Sequence, residues 1–346
     1  LFSRCRGWLA LVLVCLVLPV SPLQAQSDGL DQILELRKAR REAAQDYQSN
    51  KSASSGPAQF GLLVIPVDFE DARLPSTWSA QANLATRVFG NDGHTLENFF
   101  NIASNGKMGL KTTIAPLVHL DGNRNSYSDI GWNGYSRTRA LATEAISEVA
   151  RLGIEFRRLD MDGPDGLPGS DDDDGQVDGV LILHAGVGQE NDTVHGEIQA
   201  LQFFIDPPVI SGGVQASFYA VASLHSGLGI WAHETGHLLG MEDRYDPRLQ
   251  PEAGLGDIRS LGGLGRFSLM SSGAWGTGQG QNPALPDAYS CMQLGWTNAV
   301  RYPISGNPLC RVSPWRNGGQ PPVMAFSSGL INSEFFLMEA RDPITS

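Results

Sequence analysis

The chain has 346 residues, room for one large domain or two small ones, and carries a formal net charge of -12. An acidic surface repels phosphate backbones, which excludes nucleic acid as a principal partner. Glycine is abundant, at 40 residues, so many turns and loops are expected.

Residues 1–25 read as a secretory signal. Arg4 and Arg6 supply the positive start, Trp8 to Val20 an apolar core, and Ala25 a small residue at the cut position. That core is shorter than the roughly 20 residues that span a bilayer, so a secreted, extracellular protein without a stable membrane anchor is expected. Cys5 and Cys15 leave with the signal. Cys291 and Cys310 remain, an even pair for which a disulfide is expected in an oxidising compartment, with two buried thiols as the alternative.

Residues 26–59 form a separate stretch. Leu30, Ile33 and Leu34 have rough helical spacing, and Ser49 to Pro57 has linker composition, so a propeptide or flexible linker is expected. The folded domain is placed at 60–346. Gly61 to Phe69 is apolar and β-rich and reads as a buried strand. Thr95 to Ile102 reads as a short helix carrying Phe99 and Phe100. Leu110 to Leu120 reads as one or two strands around Pro116. Arg137 to Leu152 is an amphipathic helix with Leu141, Ala145, Ile146 and Val149 on one face, stopped by Gly153. Val177 to Ala185 is a second buried strand, and Ile198 to Ile205 and Gln215 to Ala222 are two more. Ile230 to Leu239 is a helix ended by Gly240. Beyond it the chain is rich in glycine and proline, with few regular elements. This order predicts an α+β domain with a cleft between two lobes.

Residues 231–246 carry the chemistry. His233 and His237 lie four apart, so a helix puts both imidazoles on one face, where they can grip a metal ion. Glu234 is placed to reach a water on that ion. Gly240 lets the helix end sharply and the chain turn back, bringing Asp243 in as third ligand, with Glu242 and Asp246 as rivals. Two nitrogens and one oxygen leave a fourth position open, the arrangement of catalytic rather than structural zinc. The expected reaction is hydrolysis of peptide bonds in proteins or peptides, with Glu234 as general base. Tyr245, Tyr289 and His225 are candidate hydrogen-bond donors to the transition state.

A second cluster lies in an acidic loop. Asp160, Asp162, Asp165, Asp172, Asp174 and Asp178, interleaved with glycines, offer hard oxygen ligands on tight turns, which suits Ca2+. The alternative is an exposed, solvated acidic loop.

The segment from His233 to Asp243 resembles the metzincin zinc peptidases. An aspartate where they carry a third histidine, followed by Tyr245 and Asp246, resembles the immune inhibitor A family (M6) of secreted bacterial metallopeptidases. Phe60 to Asp71, Phe99-Phe100 with Ser104 to Lys107, Val177 to Val180 with His184 to Gly186, Phe267 to Gly273, Leu294 to Trp296 and Glu334 to Leu337 are similar to segments of that family. The resemblance implies a zincin-like catalytic domain. It would have a mixed twisted sheet, an active-site helix and an irregular C-terminal lobe with a methionine turn at Met270. Zn2+ is its implied cofactor. It also supports calcium on the acidic loop. A zymogen is expected from the stretch 26–59, and a monomer is expected. Relatives continue past the strand near Glu334 to Glu339, so a shortened C-terminus and an unpartnered last strand are expected. Two other functions compete: a secreted zinc- and calcium-binding adhesion domain without catalysis, and a zinc hydrolase of non-peptide amides.

Overall fold

The computed structural model describes residues 58–89, 94–129, 135–163, 165–191, 197–245, 263–303, 323–326 and 335–341, together with Leu34, Glu35 and Lys38. The expected signal, most of the propeptide or linker stretch, Asp246 and Cys310 lie outside the described residues. Strand β1 (Ala58–Asp68) begins two residues before the domain start expected at Phe60. Every residue of it from Phe60 to Asp68 is buried, the mark of a strand covered on both faces. Helix α1 (Ala80–Val88) follows, capped by the Ser79 hydroxyl, which accepts from the Ala82 N–H. Helix α2 (Leu96–Ala103) is capped in the same way by Thr95 and buries Leu96, Phe99, Phe100 and Ala103.

Pro116 separates β2 (Met108–Ile114) from β3 (Val118–His119), as its missing N–H requires. After the one-turn helix α3 (Arg124–Tyr127) comes α4 (Ser136–Arg151). Its N-terminus is closed by Asp129, whose carboxylate accepts from the N–H groups of Arg137 and Thr138 and from the Thr138 hydroxyl. Its C-terminus is closed by Gly153, at φ 87°. The inward face of α4 is Leu141, Ala142, Ala145, Ile146 and Val149. Each large side chain on that face contributes about 1.5–3 kcal/mol by leaving water.

Strands β4 (Gly179–His184), β5 (Leu201–Ser211) and β6 (Val214–Ser223) complete a six-stranded mixed sheet of order β2-β1-β4-β6-β5, with β3 paired to β1. All pairings are parallel except β5 with β6, so the edge strand runs against its neighbour. Helix α5 (Leu228–Leu238) packs on β6 and β4. All of its residues are buried, so it shows no polar stripe.

Past α5 come α6 (Ala288–Gln293) and a second sheet of β7 (Val300–Pro303), β8 (Val323–Phe326) and β9 (Phe336–Met338). This corrects one expectation. The last strand has a partner, pairing antiparallel with β8, which in turn lies parallel to β7.

Candidate metal centre

The end of α5 builds the site. Met241 N–H donates to the Gly236 carbonyl at 2.9 Å and Gly240 N–H to the His237 carbonyl at 3.0 Å, with Gly240 at φ 98°. This is the paired closure of a Schellman turn, which needs a left-handed residue at the Gly240 position. The turn sends the chain back over the helix. It also places the Met241 carbonyl 2.9 Å from Nδ1 of His237. Nδ1 of His233 lies 2.9 Å from the Leu269 carbonyl. With both Nδ1 atoms against backbone carbonyls, the Nε2 atoms are the ones available to a metal ion.

The two Nε2 atoms converge on Asp243, 3.2 and 3.3 Å from its Oδ1. The imidazole rings stand at 89° with centroids 4.7 Å apart. His233, His237 and Asp243 each offer a ligand atom, all within 4.8 Å of one another. Burial opposes a charge on His233, but Asp243 and Glu234 outweigh it and raise its pKa to about 9. Burial likewise opposes charge on Asp243, but the two histidines hold its carboxyl well below the usual range. Two imidazoles and a carboxylate around one point fit zinc in chemistry and in number. Glu234 is buried on the same helix, at 5% exposure.

Of the rival ligands, Glu242 lies 3.7 Å from Arg244 and is not among the three converging groups. Asp246 is outside the described residues. Met270 is fully buried below the helix, and a Cβ added at Gly236 would come within 2.8 Å of its sulfur. The chain after Asp243 is pinned to the same turn, with Arg244 N–H donating to the Met270 carbonyl at 2.6 Å. Asp287 supports that turn, its carboxylate accepting from the hydroxyls of Ser268 and Ser290 and from the Ser290 N–H. Cys291 is buried beside the carbonyls of Ala103 and Pro286.

Three comparisons bear on this site. The family model of the immune inhibitor A peptidase M6 catalytic domain matches residues 204–298, a span that holds all three converging groups, Glu234 and Met270. These residues are similar to that catalytic domain. This similarity accords with the resemblance drawn on sequence motifs, although the resemblance was drawn over a longer stretch. Immune inhibitor A of Bacillus thuringiensis subsp. alesti is 24% identical over 209 residues, 54% of this chain and 29% of that protein. Pre-pro-metalloprotease PrtV of Vibrio cholerae serotype O1 (strain M66-2) is 29% identical over 164 residues, 42% of this chain and 17% of that protein. The chain spans less than a third of the length of these relatives. A crystal structure of OgpA from Akkermansia muciniphila is 15% identical and covers 72% of this chain and 63% of its own, at a TM-score of 0.35, too distant to inform the fold.

Part of the surroundings escaped the sequence. Arg87 of α1 lies 3.5 Å over the Trp231 ring of α5 and donates to the carbonyls of Leu224 and Ser226, just before that helix. Burial lowers its pKa to about 10, so it keeps its charge there. Burial first, then the carboxylates of Asp129, Glu234 and Asp243, push the pKa of the Tyr135 phenol up to about 12. Of the donors expected from sequence, Tyr289 carries the Arg244 guanidinium 4.8 Å from its ring and packs on Phe335.

The acidic loop is partly gathered. Asp160, Asp162 and Asp178 bring carboxylate oxygens within 4.8 Å of one another. Asp165, Asp172 and Asp174 are turned to local partners instead. Asp165 accepts from the Leu167 N–H, Asp172 from the Asp165 N–H and the Ser170 hydroxyl, and Asp174 from the Gln176 N–H. Asp178 joins the loop to the sheet by accepting from the N–H groups of Gly61 and Met161.

Proposed function

We propose that this chain is a secreted zinc-dependent endopeptidase that hydrolyses peptide bonds in proteins. The observation that carries the reading is the convergence of both Nε2 atoms on the Asp243 carboxylate, with Glu234 one residue from His233. His233, His237 and Asp243 would hold the ion, and the donor set leaves a position for water. When bound, zinc supplies Lewis acidity toward that water and toward a scissile carbonyl.

The protein's own groups do the rest. The Leu269 and Met241 carbonyls keep the two rings oriented. Met270 forms an apolar floor below them. Glu234 takes a proton from the attacking water and gives it to the leaving amine, a role supported by its place one residue after His233 on the same helix.

A Glu234→Gln protein should keep zinc at one ion per chain yet lose casein or gelatin hydrolysis by about 10²–10⁴-fold. Wild-type hydrolysis should be abolished by 1,10-phenanthroline. Undiminished hydrolysis by the variant would exclude the mechanism. Inactivity of the wild type on every protein and peptide tried would favour a binding domain instead.

Calcium belongs to the same reading, on Asp160, Asp162 and Asp178. The Asp160 Oδ1 is buried and accepts no hydrogen bond among the described residues. Burial, with Asp173, Asp174 and Asp162 nearby, pushes its carboxyl up to about 7. A hard cation relieves both penalties. Among the described residues no helix is long and apolar enough to cross a membrane.

A further inference from the structure

Two chain segments outside α5 flank the metal ligands. One is the turn Ser268 to Met270, whose Leu269 carbonyl meets Nδ1 of His233 at 2.9 Å. The other is Arg244, the residue that follows Asp243. We propose, on the reading that His233, His237 and Asp243 hold zinc, that Asp287 is a positioning residue for the metal centre. Its one carboxylate, at the start of α6, holds both segments through two serine hydroxyls.

The bonds run in two matching arms. Asp287 Oδ2 accepts from the Ser268 hydroxyl at 2.8 Å, and the Ser268 oxygen accepts from the Met270 N–H at 3.1 Å. The same Oδ2 accepts from the Ser290 hydroxyl at 2.8 Å, and the Ser290 oxygen accepts from the Nε–H of Arg244 at 3.2 Å. Asp287 Oδ1 accepts from the Ser290 N–H at 2.9 Å and so caps α6. Asp287, Ser268 and Ser290 are buried, at 3%, 0% and 1% exposure, so bulk water does not replace a partner lost there.

The arms are joined beyond the serines. Arg244 N–H donates to the Met270 carbonyl at 2.6 Å. Leu269 N–H donates to the Leu285 carbonyl at 3.2 Å, and that carbonyl also accepts from Arg341 at 3.1 Å, which fixes the segment leading into Asp287. The Arg244 guanidinium is set further by the Tyr289 ring at 4.8 Å and by Glu242 at 3.7 Å.

The direction of these bonds calls for a carboxylate. Met270 N–H and Arg244 Nε–H can only donate, and a serine hydroxyl has one proton. Each hydroxyl therefore accepts from its N–H and gives its proton to Asp287. An ionised carboxylate accepts at both oxygens. Burial opposes charge on Asp287, but the Ser290 N–H, the Arg244 charge and the two hydroxyls outweigh it and hold the carboxyl below its usual range. Asp287→Asn keeps the shape but puts an NH2 where one oxygen stood. That group meets either two hydroxyls already committed to donating or the Ser290 N–H, so a donor faces a donor in both orientations.

The test compares Asp287→Asn, Ser268→Ala and Ser290→Ala with wild type, all as the full chain. Zinc affinity is read by competition with a chromophoric chelator, at a temperature where circular dichroism shows each metal-free protein folded. Asp287→Asn should weaken zinc binding by about 10–100-fold, the usual loss when a group behind metal ligands is changed. Each serine variant removes one arm and should lose part of that factor. The visible absorption bands of the cobalt(II)-substituted protein should shift in all three, because the ligands are displaced. A lower Tm with zinc affinity and cobalt bands as in wild type would mean a merely structural role and overturns the assignment, leaving the zinc reading in place. If Asp287→Asn does not fold, the two serine variants, which keep the Asp287 cap on α6, decide by the same two readouts. A wild type that binds no zinc removes the parent reading and this one with it.

Discussion

His184 closes β4 with no exposure to water, its Nδ1 3.0 Å from the Ala185 carbonyl. Burial lowers its pKa from 6.5 to about 4. The folded ring is therefore neutral where an unfolded histidine takes a proton. Stability from this group is complete above pH 6.5 and is lost as pH falls toward 4. Its full worth is on the order of 3 kcal/mol. His184→Gln removes the titration, so between about pH 6.5 and 4.5 its unfolding free energy should fall less steeply than that of wild type, by up to about 1.4 kcal/mol per pH unit. Equal slopes by urea denaturation would show that the buried ring is not the proton acceptor. At this scale the sequence was informative wherever spacing along one helix decides geometry. His233, His237 and Asp243 are set by a four-residue repeat and one glycine turn, so they could be read directly. Arg87 could not, because its contacts with Trp231 and with the carbonyls of Leu224 and Ser226 join α1 to a helix far away in sequence.

Among the elements, α5 depends on a close approach that only glycine allows. A Cβ at Gly229 would strike the Ala274 carbonyl oxygen and sit 2.8 Å from the Pro283 Cβ, while the Gly229 N–H donates to the Gly280 carbonyl. Helix propensity alone favours alanine over glycine by about 0.5–1 kcal/mol. Overpacking against backbone costs about 1–3 kcal/mol and outweighs it. Gly229→Ala should therefore lower Tm, and a raised Tm would mean that the turn at Ser272 to Ala274 yields freely. Most elements were legible from periodicity, including α4 with its stop at Gly153 and the division of β2 from β3 at Pro116. Helix α1 was not, since it buries only Ala80, Leu84 and Val88 and shows a weak stripe. The second sheet was hidden by short strands amid glycine and proline, whose pairing is non-local.

For the molecule as a whole, the acidic loop ties the first strand of the sheet to the rest through Asp178, and a cation bound there would govern global stability. Asp160 is raised to about 7, so without a cation the native chain keeps a proton that the unfolded chain releases near 3.8. More protons in the native state means that stability falls as pH rises between those values. EGTA-treated protein should thus melt at a higher temperature at about pH 5.5 than at about pH 7.5, from this group's contribution. Added calcium should raise Tm most at the higher pH. Melting curves indifferent to EGTA at both pH values would eliminate the cation site. The order of the large sheet was illegible in advance, because pattern identifies strands but not which of them become neighbours, and the reversal of β5 depends on the tight Gly212-Gly213 connection. The return of the chain at Gly263 has a further consequence. Arg244 N–H holds the Met270 carbonyl, and the Arg244 carbonyl receives the Leu264 N–H at 2.9 Å. Arg244, Leu264 and Met270 are therefore stapled at a single point, one residue beyond Asp243. Loosening that staple would let the Asp243 carboxylate drift from the two imidazoles, so two backbone hydrogen bonds outside the helix help set where the three groups meet.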